Sequence, residues 1–301
     1  MNASAIIPTA NRSEVLHRTL GSVLEQSSVP GEIIIIDASA DDSTKTVCDQ
    51  FPEVTYLKAT ERGAAQQRVQ GVAEATLPNI LFLDDDIILE PDCLALLEAA
   101  LLSSEKIGGA VATITNQQYH PPGRLTRPIL RLIEGKAQHY AGKRVAGIMP
   151  QHPWDNDELP DIVPIEWLSS TCTLYRREAL PDELFPKKFF GASTGEDLAL
   201  SLEVARSWEL VNARTARIFH DSQGGDHKRS QTVLAKMEFV NRHHIMTQIL
   251  GLKSPRAHFN LILAQAFTLA GTLRQEGGVR AFPARLWGKL LGLATTTFTR
   301  A

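Results

Sequence analysis

Three consecutive carboxylates, Asp84, Asp85 and Asp86, interrupt the apolar stretch ILFLDDDIIL at 80–89. Carboxylates this close repel one another, and burying them unpaired is costly. Acids at the end of an apolar strand have four chemical uses: holding a divalent cation, binding sugar hydroxyls, acting as a base, or accepting a phosphoryl group. In extended backbone the first and third side chains project to one side. Asp84 and Asp86 therefore suit shared work on a hydrated Mg²⁺ or Mn²⁺, since hard cations take carboxylate oxygens. A solvated acidic turn ahead of the next helix is the plain alternative. Asp37 closes a second apolar run, EIIIID at 32–37, and the acids Glu196 and Asp197 open a helical pattern after Gly195.

The surrounding pattern says how such acids would be positioned. Apolar runs at 3–8, 32–37, 54–58, 79–83 and 108–114 read as strands. Between them lie helical patterns at 13–26, 42–51, 62–76 and 92–103, with Ser13 as an N-cap and Pro91 in a first turn. The pattern at 62–76 puts Ala64, Ala65, Val69, Val72 and Ala73 on one apolar side. A near-continuous β-branched run such as EIIIID is typical of a strand buried on both faces. The alternation implies an α/β fold, a doubly wound, mostly parallel sheet, in which ligands bind beyond the carboxyl ends of the strands. Residues 116–165, with seven prolines, break the rhythm and leave room for one helix near 129–139. A strand or strand pair at 165–175, followed by 176–180, then a helix at 196–208 and one or two short strands at 210–219 come next, ending at His220 and Asp221. From 230 the pattern is helical, with breaks at 251–255, 277–278 and Pro283.

The 301 residues, 43% hydrophobic and 22% charged, suffice for a substantial core in one large domain or two modest ones. Cys48, Cys93 and Cys172 lie far apart, without CxxC or zinc-type spacing, and read as free thiols in a reducing compartment. The N-terminus lacks the basic and apolar regions of a signal peptide, so the expectation is a cytoplasmic protein. Charge is uneven. Residues 227–301 hold eleven Lys and Arg against two acids, a net of +9, and the remainder carries −12. The acidic body argues against nucleic acid as a partner. Residues 257–273 contain no charged side chain but fall short of the ~20 apolar residues of a spanning helix. Residues 279–299 mix Phe282, Leu286, Trp287, Leu290, Leu291 and Leu293 with Arg280, Arg285 and Lys289. That is the composition of a helix lying at an anionic membrane surface. A helical cap on the body and a dimer interface remain alternatives.

Five segments occur in a fixed order: IIPTANR at 6–12, EIIIIDASADDST at 32–44, ERGAAQQR at 61–68, FLDDD at 82–86 and GED at 195–197. Together they resemble family 2 glycosyltransferases of the GT-A fold over about residues 1–225. The resemblance implies an inverting, metal-dependent transferase. Its donor would be a UDP-, dTDP- or GDP-sugar, and its acceptor a saccharide or lipid-linked saccharide, as in cell-envelope or exopolysaccharide synthesis. It implies a catalytic domain at 1–226, with a donor half at 1–115 and an acceptor half at 116–226. The resemblance does not extend to the basic helical tail at 227–301, for which composition alone gives the expectation of a peripheral place at the cytoplasmic face of the membrane, beside the cap and dimer alternatives. Carried over by residue, Asp37 meets the nucleoside, with Pro8 and Thr9 lining the same pocket. The chain has DASA where the family often has DDGS or DNGS. Asp84 and Asp86 match the family's DxD. Asp86 holds the Mn²⁺ or Mg²⁺ that bridges the diphosphate, Asp84 reaches the ribose or the same metal, and Asp85 faces outward. Arg62 and Arg68 turn toward the donor. Asp197 is the general base and Glu196 orients the acceptor. His220 is a further metal ligand, as in some relatives, or a structural, hydrogen-bonded His. Trp167 and Tyr175 stack on a sugar or line the acceptor cleft, with burial in the core as the plain alternative for large apolar rings. Two other readings stay open. One is nucleotidyl or phosphoryl transfer, although a DxDx[TV] start and a glycine-rich loop after the first strand are missing. The other is a non-catalytic relative that binds sugar or membrane.

Overall fold

The computed structural model describes residues 1–117, 124, 127–134, 142, 144–145, 147–153, 155–186, 189, 194–222, 230–274 and 277–298. The first half alternates as its sequence implies: β1 (Ala3–Thr9), α1 (Ser13–Leu24), β2 (Glu32–Asp37), α2 (Ser43–Cys48), β3 (Val54–Lys58), α3 (Ala64–Glu74) and β4 (Asn79–Leu83). After the triple aspartate come β5 (Ile87–Leu89), α4 (Cys93–Leu102) and β6 (Ile107–Ile114). The proline-rich excursion contributes α5 (Arg127–Glu134), β7 (Arg144–Val145), β8 (Met149–Pro150) and β9 (Ile162–Ile165). Then β10 (Cys172–Arg176), α6 (Glu196–Val204) and β11 (Glu209–His220) complete the body. The tail folds as α7 (Gln231–His244), a π-helical turn (Ile245–Ile249), α8 (Pro255–Thr272) and α9 (Gly278–Phe298).

One sheet runs in the order β3-β2-β1-β4-β10-β6-β11-β5, with β9 also on β11. The strands β1 to β4 are parallel. Because β10 is antiparallel to both β4 and β6, β6 and its parallel neighbour β11 run with the first four. Only β5, β9 and β10 oppose them, so the sheet is mostly parallel in direction. Helices cover both faces. Leu16, Leu20 and Val23 of α1 and Leu94, Leu97 and Leu101 of α4 pack on one side. Ala65 of α3 and Leu200 and Val204 of α6 pack on the other, against Ile6, Ile34 and Ile36. Each fully buried aliphatic side chain contributes about 1.5–3 kcal/mol, so this double cover accounts for the apolar strands.

A third cluster ties the tail to the body. Leu198, Ala199 and Leu202 of α6 meet Phe239, Ile245, Met246 and Leu261. The tail is thus packed on the helix that carries Glu196 and Asp197. Ser230 and Ser254 cap α7 and α8 by accepting from the N–H groups of Val233 and Ala257. No helix of the described residues is long and apolar enough to cross a membrane.

Several local expectations shift. Ser13 lies inside α1, and the cap position is Arg12, which makes no side-chain cap bond. Pro91 precedes the helix, whose cap Asp92 takes a φ of 60°. Pro283 sits within α9 rather than ending it, at the loss of one backbone hydrogen bond. The segment at 210–219 is one strand, kinked by a register shift between Ala213 and Arg217. Residues 135–139 of the helix expected near 129–139, and the expected boundary at 226/227, lie outside the described residues.

Candidate functional site

The return to Ile-Ile-Leu after the aspartates is explained by β5. It pairs antiparallel with the end of β11, setting Ile87 opposite His220. That register brings the His220 ring to Asp86, with Nε2 3.1 Å from Oδ1, while the Asp221 N–H donates to the Asp86 carbonyl at 2.8 Å. Asp84, Asp86 and His220 each offer a ligand atom, all within 4.8 Å of one another. The first and third acids therefore do share a side. Burial raises the Asp84 carboxyl above its ordinary value; Arg68 opposes the rise and Asp86 adds to it. Two carboxylates and an imidazole fit a divalent cation, with the nitrogen favouring Mn²⁺ over Mg²⁺.

Asp85 does not face outward, which corrects the expectation for the middle acid. It is 5% exposed and accepts from the Thr9 hydroxyl at 2.6 Å and from Arg12 Nη1 at 3.0 Å. The same Arg12 nitrogen is 3.3 Å from Asp86 Oδ2. Burial pushes the Asp85 carboxyl up to about 6 despite these two partners. The Thr19 hydroxyl of α1 holds the turn from below, 2.8 Å from the Asp85 carbonyl and 2.9 Å from that of Ile87. Arg12 closes the IIPTANR segment and had no role in the sequence reading. Its position at the carboxyl end of β1, beside β4, was the available signal.

Pro8, Thr9 and Asp37 stand together at the ends of β1 and β2, where Thr9 pairs with Asp37. Asp37 is fully enclosed. It accepts from the Ser39 N–H at 2.8 Å, the Tyr56 hydroxyl at 2.9 Å and Lys58 Nζ at 3.3 Å. Lys58 also donates to the Ser39 carbonyl at 2.8 Å, which fixes its half-exposed ammonium at this edge. Tyr56 and Lys58 were not singled out from sequence, although β3 lies beside β2 with Lys58 opposite Asp37.

Glu196 and Asp197 form the first turn of α6, entered through Gly195 at φ 88°, a conformation that favours glycine. The Leu198 N–H donates to Asp197 Oδ1 at 2.7 Å. Arg68 spans from this turn to the aspartate cluster. Its Nη2 donates to Asp84 Oδ1 at 2.7 Å and its Nη1 lies 3.8 Å from Glu196 Oε1. Burial raises both carboxyls, with Asp197 adding to the rise at Glu196 and Asp84 to that at Asp197, while Arg68 opposes both.

The helix α3 that carries Arg68 is turned differently from its apolar pattern. Ala65, Gln67, Arg68 and Gly71 are buried and Val69 is exposed. Gln67 explains part of this, since its Nε2 donates to the carbonyls of Thr9 at 2.9 Å and Ile36 at 2.6 Å. Arg62 is exposed in the turn ahead of α3 and does not join this network.

Tyr175 is a correction. It is buried in the core edge-on to Phe82, at 6.0 Å between ring centres, because β10 is a central strand with both faces covered. It lines no acceptor cleft. Trp167 is also buried and donates from Nε1 to the Gln151 carbonyl at 2.8 Å. Its ring meets His152 edge-on at 4.9 Å, and together they line a recess with Thr113 and Ser169 beyond β6. Burial lowers His152 to about 4, with the nearby His220 acting in the same direction.

Known proteins resemble this chain in sequence and fold. The family model described as Glycosyl transferase family 2 matches residues 4–184. The poly(ribitol-phosphate) beta-N-acetylglucosaminyltransferase TarP of Staphylococcus aureus is 36% identical over 93 residues, covering 29% of this chain and 28% of TarP. Other curated relatives are matched over 21% to 35% of their length. Two solved structures share the fold. GalNAc-T7 with UDP, GalNAc and Mn²⁺ superposes with a TM-score of 0.59 at 16% identity, over 83% of this chain and 49% of that one. The mannosyltransferase PcManGT of Pyrobaculum calidifontis with GDP-Man and Mn²⁺ gives 0.55 at 15% identity, over 100% and 88%. With the family model spanning more than half of its length and this fold beneath it, the chain belongs to glycosyl transferase family 2.

Proposed function

We propose that this chain moves a sugar from a nucleotide-diphosphate sugar to an acceptor hydroxyl, with inversion, on a saccharide or lipid-linked saccharide. The observation that carries the reading is the reach of Arg68, which pairs with Asp84 of the acid–His cluster and approaches Glu196 beside Asp197. A candidate metal site and a candidate base are thus separated by one side chain. The two halves of the body, 1–115 and 116–226, serve donor and acceptor.

In this reading Asp86, Asp84 and His220 would hold Mn²⁺ or Mg²⁺, which when bound would supply Lewis-acid support to a leaving diphosphate. Pro8, Thr9 and Lys58, fixed by Asp37, line the nucleoside edge. Arg12 neutralises Asp85 and so limits the charge that the cluster presents to the diphosphate. Asp197 takes the proton of the acceptor hydroxyl as it attacks the anomeric carbon, opposite the leaving group. Glu196 and the recess at Trp167 and His152 orient the acceptor. The solved relatives' nucleotides, UDP and GDP, support a nucleotide-sugar donor, without choosing between bases.

The test is a panel of UDP-, dTDP- and GDP-sugars, measured for binding and turnover with Mn²⁺, Mg²⁺ and chelator. One donor binds in a metal-dependent way, and no binding under any condition would overturn the reading. The Asp197→Asn chain retains that binding and loses transfer by at least ~100-fold, the scale of one proton-transfer group. Loss of donor binding in that variant would move Asp197 to the donor site.

A further inference from the structure

We propose that α8 and α9 dock this chain on an anionic lipid bilayer. On α8 the exposed Phe259, Ile262, Ala266 and Leu273 recur at helical spacing and share one stripe. Arg256 and Arg274 stand exposed near its two ends, with Lys253 just ahead. On α9, Val279, Leu286, Trp287 and Leu290 form a second exposed stripe, with Arg280 at its start. Trp287 is 58% exposed and Val279 72%. The opposite sides of both helices are committed inward: Leu261, Ala264 and Gln265 on α8, and Gly288, Lys289 and Gly292 on α9. Two neighbouring helices, joined by five residues, therefore each bury one side and leave an apolar stripe outside.

Charge selects the occupant. Neither helix contains Asp or Glu, the connection holds the single acid Glu276 against Arg274 in sequence, and Glu238 of α7 is already paired with Lys289 and Arg242. An apolar stripe ended by cations, without carboxylates, complements a layer of anionic headgroups over hydrocarbon. Trp287 suits that boundary, where an amphipathic ring keeps one end wet. A second copy offering the same face would set Arg256, Arg274 and Arg280 against like charges, which disfavours a symmetric dimer. The structure changes which elements take part. Lys289, expected among the lipid-facing cations, is 7% exposed and bonded to Glu238 and Gln265. The segment at 257–273, too short to span, supplies a full stripe instead. Helix α5 lies beside α8 and adds exposed Ile129 and Leu132. Docking does not depend on the catalytic reading, and its test reads no turnover.

The full chain is sedimented with vesicles of phosphatidylcholine alone and of phosphatidylcholine with phosphatidylglycerol. Anionic vesicles retain it, neutral ones retain far less, and salt weakens the binding. The Phe259→Glu/Leu290→Glu chain loses binding at least about tenfold, since two inserted apolar groups become charged. Both positions are solvent-exposed, so the melting temperature is expected to hold. If it falls, Arg256→Glu/Arg280→Glu gives the same readout without touching the stripes. No retention by anionic vesicles, or equal retention of wild type and variants, overturns docking. So does a wild-type dimer in light scattering that the double variant dissolves.

Discussion

Arg68 is the residue on which the site turns. Its guanidinium is 4% exposed and lies 5.9 Å from the Phe82 ring, between one carboxylate of the aspartate cluster and one of the α6 pair. It opposes the raised values of Asp197, Glu196 and Asp84, whose first cause is burial. The sign for catalysis follows. A base works ionised, so activity rises with pH through its raised pKa. Removing Arg68 raises that pKa further. In Arg68→Met the acidic limb of the kcat/KM profile therefore moves to higher pH, and Arg68→Lys moves it back part of the way. An unmoved limb would detach Arg68 from the base. At this scale the sequence marked the acids better than their partners. Asp84 and Asp86 stood out from the ordered segments and His220 only from its place at the end of a strand, and their convergence was not legible, because it depends on β5 pairing with β11. The outward expectation for Asp85 came from its variable middle place in the motif, and a turn instead delivers it to Thr9 and Arg12.

At the scale of elements, the close approach of α3 to the sheet decides where Arg68 and Gln67 can reach. Gly71 permits it: a Cβ there would lie 2.4 Å from Ile6 Cγ2 of β1. Gly71→Ala forces the helix outward, and such overpacking costs about 1–3 kcal/mol. The expected result is a lower melting temperature together with weakened donor binding, because Gln67 loses the carbonyls of Thr9 and Ile36. Gly21→Ala is the control. It meets nothing within 4 Å on α1 and exchanges glycine for a better helix former, a gain of up to about 1 kcal/mol. Equal effects of the two changes would refute the close-approach account. The alternation of strands and helices was readable because each apolar run is local. The rotation of α3 was not, since its buried side is chosen by polar bonds to β1 and β2 rather than by its alanines and valines.

For the whole molecule, the tail packs on the body through α7, the π-helical turn and α8, which brace α6, while α9 packs on α7 and α8. The sequence showed a helical, basic tail; its packing rests on contacts far apart in the chain, which no local pattern reports. At the centre Lys289 of α9 donates to Glu238 of α7 at 3.1 Å and to Gln265 of α8 at 2.5 Å, while Arg242 pairs with Glu238 at 2.9 Å. Burial alone would raise Glu238, but Arg242 and Lys289 hold it below its ordinary value. A carboxyl lowered on folding contributes stability that is full above its unfolded pKa and is lost as pH falls through the lowered one. Glu238→Gln leaves two cations buried without their anion, a loss of about 3–5 kcal/mol. Urea unfolding at neutral pH is expected to show that loss, and the difference from wild type shrinks in acid, where both chains lack the charge. Adding Lys289→Met should restore part of the stability, because one stranded cation is gone. If the double change is as destabilising as the sum of the two single ones, Glu238 and Lys289 are not coupled and their ion pair does not hold the three helices together.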